Sequence, residues 1–382
     1  MLFRSINSSL LKTVSLLDNF ENYMVFVTGK VVQQVDGNFN LQYIVWDVFN
    51  KKAIIHKSIK LNGLISSRQI SYVAHSISNN IYRAFTGENG YFNSKIAFIS
   101  HQGIYTMDYD GNHVQLLYQG REDLFTPIFS HGQRYIAYVG LNKGVSKIYL
   151  YDFVNKTNYK LGNFNGLVLA PRFSPDDSTL VFALSSKGRT NIFAMSFVNR
   201  TVKQLTFSDS INIPGGYSPD GQQITFNSDR KGRPQIFVMN TLGLNQKRLT
   251  SIQNSYYTPT WSPRGDLIAY TKILSGQHFI IGVMDTKGNG ERTIAEDYGA
   301  EGPSWSCNGR NLVYQFIYDI PNRKYAFYVV NVFNDYKLLL KPFDDCRDPC
   351  FSDNLVDADL DKQQCNLPLQ QVDRPETISV VN

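Results

Sequence analysis

The sequence predicts an all-β fold, a six-bladed β-propeller, preceded by a small N-terminal α/β domain. Three observations predict it. An aromatic–Ser pair recurs at Phe129-Ser130, Phe173-Ser174, Tyr217-Ser218, Trp261-Ser262 and Trp305-Ser306, each 44 residues after the last, and again at Phe351-Ser352 after 46. A period of about 40–45 residues suits a four-stranded propeller blade. Each pair is followed by alternating apolar runs such as "TLVFAL" (179–184), "QITFNS" (223–228) and "LIAYTK" (267–272), the pattern of half-buried strands. Finally, the two ends of the array are unbalanced. "KIAFIS" (95–100), "GIYTMDY" (103–109) and "VQLLY" (114–118) precede the first corner, while no clear strands follow the last. A circular arrangement repairs this. The strand near 348–352 joins the blade begun at 95, and six corners make six closed blades without exposed sheet edges.

The elements before the array read differently. "YMVFVTGKVVQQ" (23–34) and "NLQYIVWDV" (40–48) are strands joined at Asp36-Gly37, a hairpin signal, and "KAIIHKSI" (52–59) is a third. "SSRQISYVAHSISNNIYRAFTG" then places Ile70, Val73, Ala74, Ile77, Ile81, Ala84 and Phe85 on one helical face. Ser66 or Ser67 suits the N-cap and Gly87 the C-cap. Within the array, no helical period appears between Phe92 and Phe343. The Pro-Asp-Asp and Pro-Asp-Gly steps after the corners are turn chemistry, since Pro sets φ, Asp bonds its own backbone and Gly accepts positive φ. The expected organisation is therefore an N-terminal domain over 1–88, a propeller over 89–354 and a polar, disordered tail over 355–382.

Composition narrows the function. The 382 residues are 42% hydrophobic and 13% aromatic, enough for a packed core, and the net charge is +6. This mildly basic balance shows no Lys/Arg stripe and points to no nucleic acid. The three basic residues of "SDRKGRP" (228–234) read as a solvated hairpin turn. No apolar run is long enough to cross a membrane as a helix. The start, "MLFRSINSSLLKTVSLLDNF", has no basic region before a continuous apolar run and no small-residue cleavage site. Taken alone, that start implies a cytosolic protein. The spacings of Cys307, Cys346, Cys350 and Cys365 match no zinc pattern. A disulfide among the last three requires an oxidising compartment, and the plainer reading is unpaired small residues.

Residues that carry chemistry are sparse. The nearest lookalike of a nucleophile elbow, "GPSWSC" (302–307), lacks the second Gly and sits on a blade corner. No two of the six histidines stand at an i, i+4 ligand spacing, and His75 reads as packed or capping. Asp176, Asp177 and Asp220 read as turn caps rather than calcium ligands. We therefore expect no catalytic residue, no metal and no cofactor. A propeller-based enzyme of lyase or cyclase type would need groups converging in the channel. Arg172, Glu301 and Arg347 are the candidates to point there, but no general base accompanies them. What remains is a disc with a channel. Loops 165–172, 210–216, 254–260 and 295–304 lie at one mouth, with residue types that suit protein recognition.

The repeats "RFSPDDSTLVFALSSKGRTNIFAM", "YSPDGQQITFNSDRKGRPQIFVMN" and "WSPRGDLIAYTK", together with "AHSISNNIYRAFTGENGYFNSKIAFIS" (74–100) and "MDYDGNHVQLL" (107–117), resemble the TolB family of the Tol–Pal system over roughly residues 1–354. That resemblance implies a non-enzymatic periplasmic scaffold, a monomer that does not enter the membrane. It implies binding of the peptidoglycan-associated lipoprotein Pal at the propeller mouth, with support for outer-membrane integrity and cell division. It implies TolA as a further partner, although the TolA-contacting segment and the first part of the small domain have no counterpart here, so the domain is partial. Aligned on the corner aromatics, the implied partner-binding residues are Leu167, Ala170, Asn212 and Ile213. A cytosolic interaction propeller is the other non-enzymatic reading, and it rests on the apparent lack of a signal peptide.

Overall fold

A computed structural model describes residues 25–34, 38–61, 66–274, 278–353 and 379–381. The chain divides into two compact units after Asn93.

The first unit is an antiparallel three-stranded sheet, Val25–Gln33, Phe39–Asp47 and Lys52–Leu61 in that spatial order, followed by the helix Ser67–Thr86. The Asp36-Gly37 hairpin expected from the sequence lies outside the described residues. The helix starts at a capping box: the Ser66 hydroxyl accepts from the Gln69 amide, and the Gln69 side chain accepts from the Ser66 amide. It ends at Gly87, whose φ of 72° closes a left-handed cap. Val73, Ile77 and Ile81 pack with Tyr43 and Val45 of the central strand. Ile70, in the first turn, stands 56% exposed; the buried stripe begins one turn later than the apolar pattern suggests.

The second unit is the propeller. Its six sheets are each built from an inner strand outwards as four antiparallel strands, and that of blade three carries a fifth, parallel strand at its outer edge. The inner strands are Asp123–Phe129, Leu167–Phe173, Asn212–Tyr217, Ser255–Trp261 and Glu301–Trp305 for blades two to six. Blade one takes its inner strand, Arg347–Phe351, from the far end of the chain and pairs it with Lys95–Ser100 in the register Cys350↔Ala97 and Phe351↔Ile96. The predicted circular closure is thus formed. Hydrophobic side chains fill the space between neighbouring sheets: one cluster joins blades two and three around Val139, Ile148, Phe173 and Phe182, and another joins blades five and six around Ile281, Trp305 and Tyr314. A ring nine residues after each corner aromatic, Tyr138, Phe182, Phe226, Tyr270 and Tyr314, is almost wholly buried and repeats the 44-residue period inside the blades.

The corner explains why Ser recurs. In blade three the Ser174 amide donates to the Thr179 carbonyl at 2.8 Å, and the Ser174 hydroxyl accepts from the Thr179 amide at 3.0 Å. The same pair of bonds joins Ser130 to Tyr135, Ser218 to Gln223 and Ser306 to Asn311. In blade one it joins Ser352 to Lys95, at 2.8 Å for each bond. One buried hydroxyl therefore satisfies the first amide of the second strand, where the reversal leaves it without a ladder partner. The turn then needs a left-handed residue three positions after Ser. Gly221, Gly265 and Gly309 supply it, and Gln133 and Asp177 adopt it with φ of 57° and 56°. Two of the three turn acids are caps, as expected: Asp176 accepts from Ser174 and Ser178, and Asp220 accepts from Ser218 and the Gln222 amide, whereas the Asp177 side chain turns to the neighbouring corner.

A second link ties the closing strand. Buried Asp177 accepts from the amides of His131 at 2.8 Å and Gly132 at 2.6 Å, and the His131 ring meets Asp353 at 3.1 Å. The corners of blades two and three are so joined to the residue that follows the closure. Residues 379–381 form a short strand parallel to Thr201–Gln204 of blade three, where an unstructured tail was expected. Residues 354–378 lie outside the described residues. Cys346 and Cys350 are free thiols, and Cys365 also lies outside the described residues.

Two outcomes follow. Deletion of residues 346–382 is expected to lower stability by several kcal/mol relative to deletion of 354–382, because both remove residues 379–381 but only the former removes the closing strand; chemical denaturation of both truncations checks this, and superimposable curves would refute the closure's role. Burial lowers the His131 pKa, but its bond to Asp353 and the charges of Asp353, Asp177 and Asp176 outweigh that and hold it above the ordinary value. The stabilisation is present below the unfolded-state pKa of about 6.5 and is lost as pH rises through the folded one. An NMR titration should show the His131 midpoint falling in Asp353→Asn.

Candidate functional site at the channel

The six inner strands surround the channel, and five share one irregularity. Three residues before the corner aromatic the backbone is left-handed, at Thr126, Ala170, Thr258, Gly302 and Asp348, with φ of 48°, 48°, 45°, 67° and 52°. The ladder shifts register there as a β-bulge. Proline follows in each case: Pro127, Pro171, Pro259, Pro303 and Pro349. An inner strand has no sheet neighbour on its channel side, so the missing proline N–H leaves no ladder bond unmade. Blade four departs. Pro214 occupies the bulge position, and Gly215 and Gly216 follow. A Cβ on Gly215 would lie 2.0 Å from the Pro259 carbonyl oxygen, so only glycine lets blades four and five approach this closely.

The residues expected to bind a partner separate into two kinds. Leu167 begins its inner strand at the mouth and is 41% exposed, and Ile213 is half-buried. Ala170 is buried at the bulge. Asn212 is fully buried, and its amide nitrogen donates to Ser208 Oγ at 2.8 Å and Thr190 O at 3.1 Å. Its Oδ1 accepts from Arg230 at 2.7 Å, and the Arg230 guanidinium lies over the rings of Phe226 and Phe237. The exposure that a contact role for Asn212 presumes is therefore not found in this structure. Asn212 is buried and bonded within the loop that carries Ile213. Leu169 and Phe125, each 38% exposed, stand four residues before their corners, as do Ile213 and Tyr257. These four side chains on successive blades make an apolar arc. The arc was readable from the repeat alignment as large apolar residues at one aligned position, but only exposure distinguishes it from core.

Polar groups occupy the rest of the channel wall. Gln315 donates to Glu301 at 2.9 Å and accepts from the Asp348 amide at 2.7 Å, while Asp348 Oδ2 accepts from the Thr126 amide at 2.8 Å. Desolvation raises the pKa of both Glu301 and Asp348. Of the three residues considered for convergence, Arg172 lines the cavity, Glu301 joins this network, and Arg347 turns to Asp345 at the rim, 2.9 Å away.

A family model described as the TolB beta propeller domain matches residues 82–354. The chain belongs to the TolB propeller family. The Tol-Pal system protein TolB of Paramagnetospirillum magneticum is 38% identical over 154 residues, a stretch that covers 38% of this chain and 34% of that protein. The match thus spans about a third of the length of the curated relative. The crystal structure of TolB from Acinetobacter baumannii superposes with a TM-score of 0.78 at 26% identity, covering 88% of this chain and 85% of that one. A nidogen/laminin complex, with a TM-score of 0.56 at 10% identity over 68% of this chain and 98% of that one, shares the fold alone. Among the described residues no helix is long and apolar enough to cross a membrane.

The polar knot under the mouth has a measurable consequence in this TolB-family propeller. Asn212→Ala would strip the Arg230 guanidinium of an acceptor in a buried setting, at a cost of about 1–3 kcal/mol. Thermal melts should show the loss, and an unshifted transition would mean that the loop stands without the knot.

Proposed function

We propose that this chain is a non-enzymatic scaffold of the Tol–Pal system, acting in the periplasm and binding the lipoprotein Pal through the mouth of its propeller, in support of outer-membrane integrity and cell division. Membership of the TolB propeller family carries the reading. The relative and the solved structure bearing the TolB name point the same way. The mouth supplies what protein recognition needs. Its apolar arc of Phe125, Leu169, Ile213 and Tyr257 rests on a rigid ring of inner strands, with Leu167 exposed at its edge. Preformed apolar anchors on a rigid scaffold limit the ordering cost of association.

The experiment pairs stability with affinity. Leu167→Asp and Ile213→Asp should leave the melting temperature within a few degrees of the parent. They should weaken Pal binding by a hot-spot-sized amount, roughly 2 kcal/mol or about thirtyfold. Titration calorimetry on both variants checks this. Unchanged affinity in both, with the fold intact, would remove this face as the binding site.

A further inference from the structure

The half of the channel towards the corners encloses a cavity of about 410 Å³. Its walls are largely apolar, with Pro175, Pro219 and Pro263 from consecutive corners and the rings of Tyr217 and Trp261 among them. Asp348, Asp353, His131 and Arg172 also line it, and Arg172 is set apart by its position in the repeat. The position just before the corner aromatic is Ile128, Gly216, Thr260, Ser304 or Cys350 in five blades, and Arg172 in blade three. Its Nε donates to the Gly215 carbonyl at 3.0 Å and its Nη1 to the Pro171 carbonyl at 2.7 Å. Among the described residues Nη2 has no partner, and the guanidinium forms no ion pair. Desolvation lowers its pKa, yet arginine stays charged.

Two further groups in this wall are unmet. Trp261 Nε1 and Thr126 Oγ1 are buried without a hydrogen-bond partner. The contrast with the next blade shows the cause. Trp305 Nε1 donates to the Thr260 carbonyl at 3.1 Å, and the equivalent acceptor for Trp261 would be Gly216, in the one inner strand whose backbone departs from the others. Buried donors left unmet are costly. Around one cavity they describe a receptor for an anionic acceptor. Asp348, close enough to influence Arg172, holds the local charge near balance and disfavours a dianion. The apolar walls and the volume fit an organic body rather than a bare inorganic ion.

We propose that this corner-side chamber binds a small organic monocarboxylate, anchored by Arg172 with the Trp261 indole N–H and the Thr126 hydroxyl as accessory donors. The site is separate from the mouth and does not depend on the reading of Pal as partner.

The probe is 4-fluorobenzoate, followed by fluorine NMR with the full chain, with 4-fluorobenzamide as its neutral counterpart. Saturable binding of the carboxylate and none of the amide is expected. Arg172→Gln should weaken carboxylate binding by at least about tenfold, the scale of a charge-assisted pair. Thr126→Val and Trp261→Phe should each weaken it several-fold with unchanged melting. No saturation by about 10 mM, the millimolar scale of very weak affinity, overturns the proposal, as does equal binding of the amide. Unaltered affinity in Arg172→Gln also overturns it. If that variant fails to fold, unaltered affinity in both Thr126→Val and Trp261→Phe does so instead.

Discussion

The pairing of Arg347–Phe351 with Lys95–Ser100 is the constraint on which the structure depends. Five blades are each continuous in sequence and could form hairpin by hairpin. The sixth exists only when segments some 250 residues apart meet, as the bond between Lys95 and Ser352 records. Joining such distant segments carries a loop-closure cost that grows slowly with length, and it comes before any closing contact is made. In return the ring has no gap, the six inner strands face one axis, and the channel acquires a wall on every side. The mouth, the buried polar network at Asp348 and the chamber at Arg172 are all consequences of closure. Asp348 itself lies on the closing strand.

Repetition provides the scaffold, and departures from it provide the chemistry. The corner serine, the left-handed bulge and the proline after it recur because every blade faces the same problem: a strand must reverse without stranding amides, and its inner edge must present no ladder to the channel. Blade four keeps the register shift but replaces the left-handed residue and its following proline with Pro214, Gly215 and Gly216, and brings its strand close against Pro259. That departure leaves the neighbouring Trp261 indole without an acceptor. Blade three places Arg172 where the other blades carry neutral residues. The two irregular blades are adjacent, and Arg172 donates to the backbone of Gly215 across their boundary.

At the mouth the same logic separates support from contact. Asn212 and Ile213 are neighbours in sequence but have opposite duties, since alternation along a strand turns successive side chains to opposite sides. Asn212 turns inward to Ser208, Thr190 and Arg230, and its amide is committed on both ends. Ile213 and Leu167 reach the solvent side. A polar residue in a recognition loop is as readily a strut as a contact, and burial is what distinguishes them.

The sequence by itself determined the blade count, the corner chemistry, the helix with an N-cap at Ser66 or Ser67 and a C-cap at Gly87, and the circular closure. These features follow from local rules, namely a 44-residue period, period-two alternation, turn residues and two unmatched ends. It also carried the family through motif resemblance. Only the tertiary structure decided which of Leu167, Ala170, Asn212 and Ile213 are exposed, and that Arg172, Thr126 and Trp261 line one cavity. The physical reason is that exposure and unmet hydrogen bonding are properties of neighbours brought from other blades. Thr126 meets Asp348 across 222 residues, and no pattern within a single repeat contains that information.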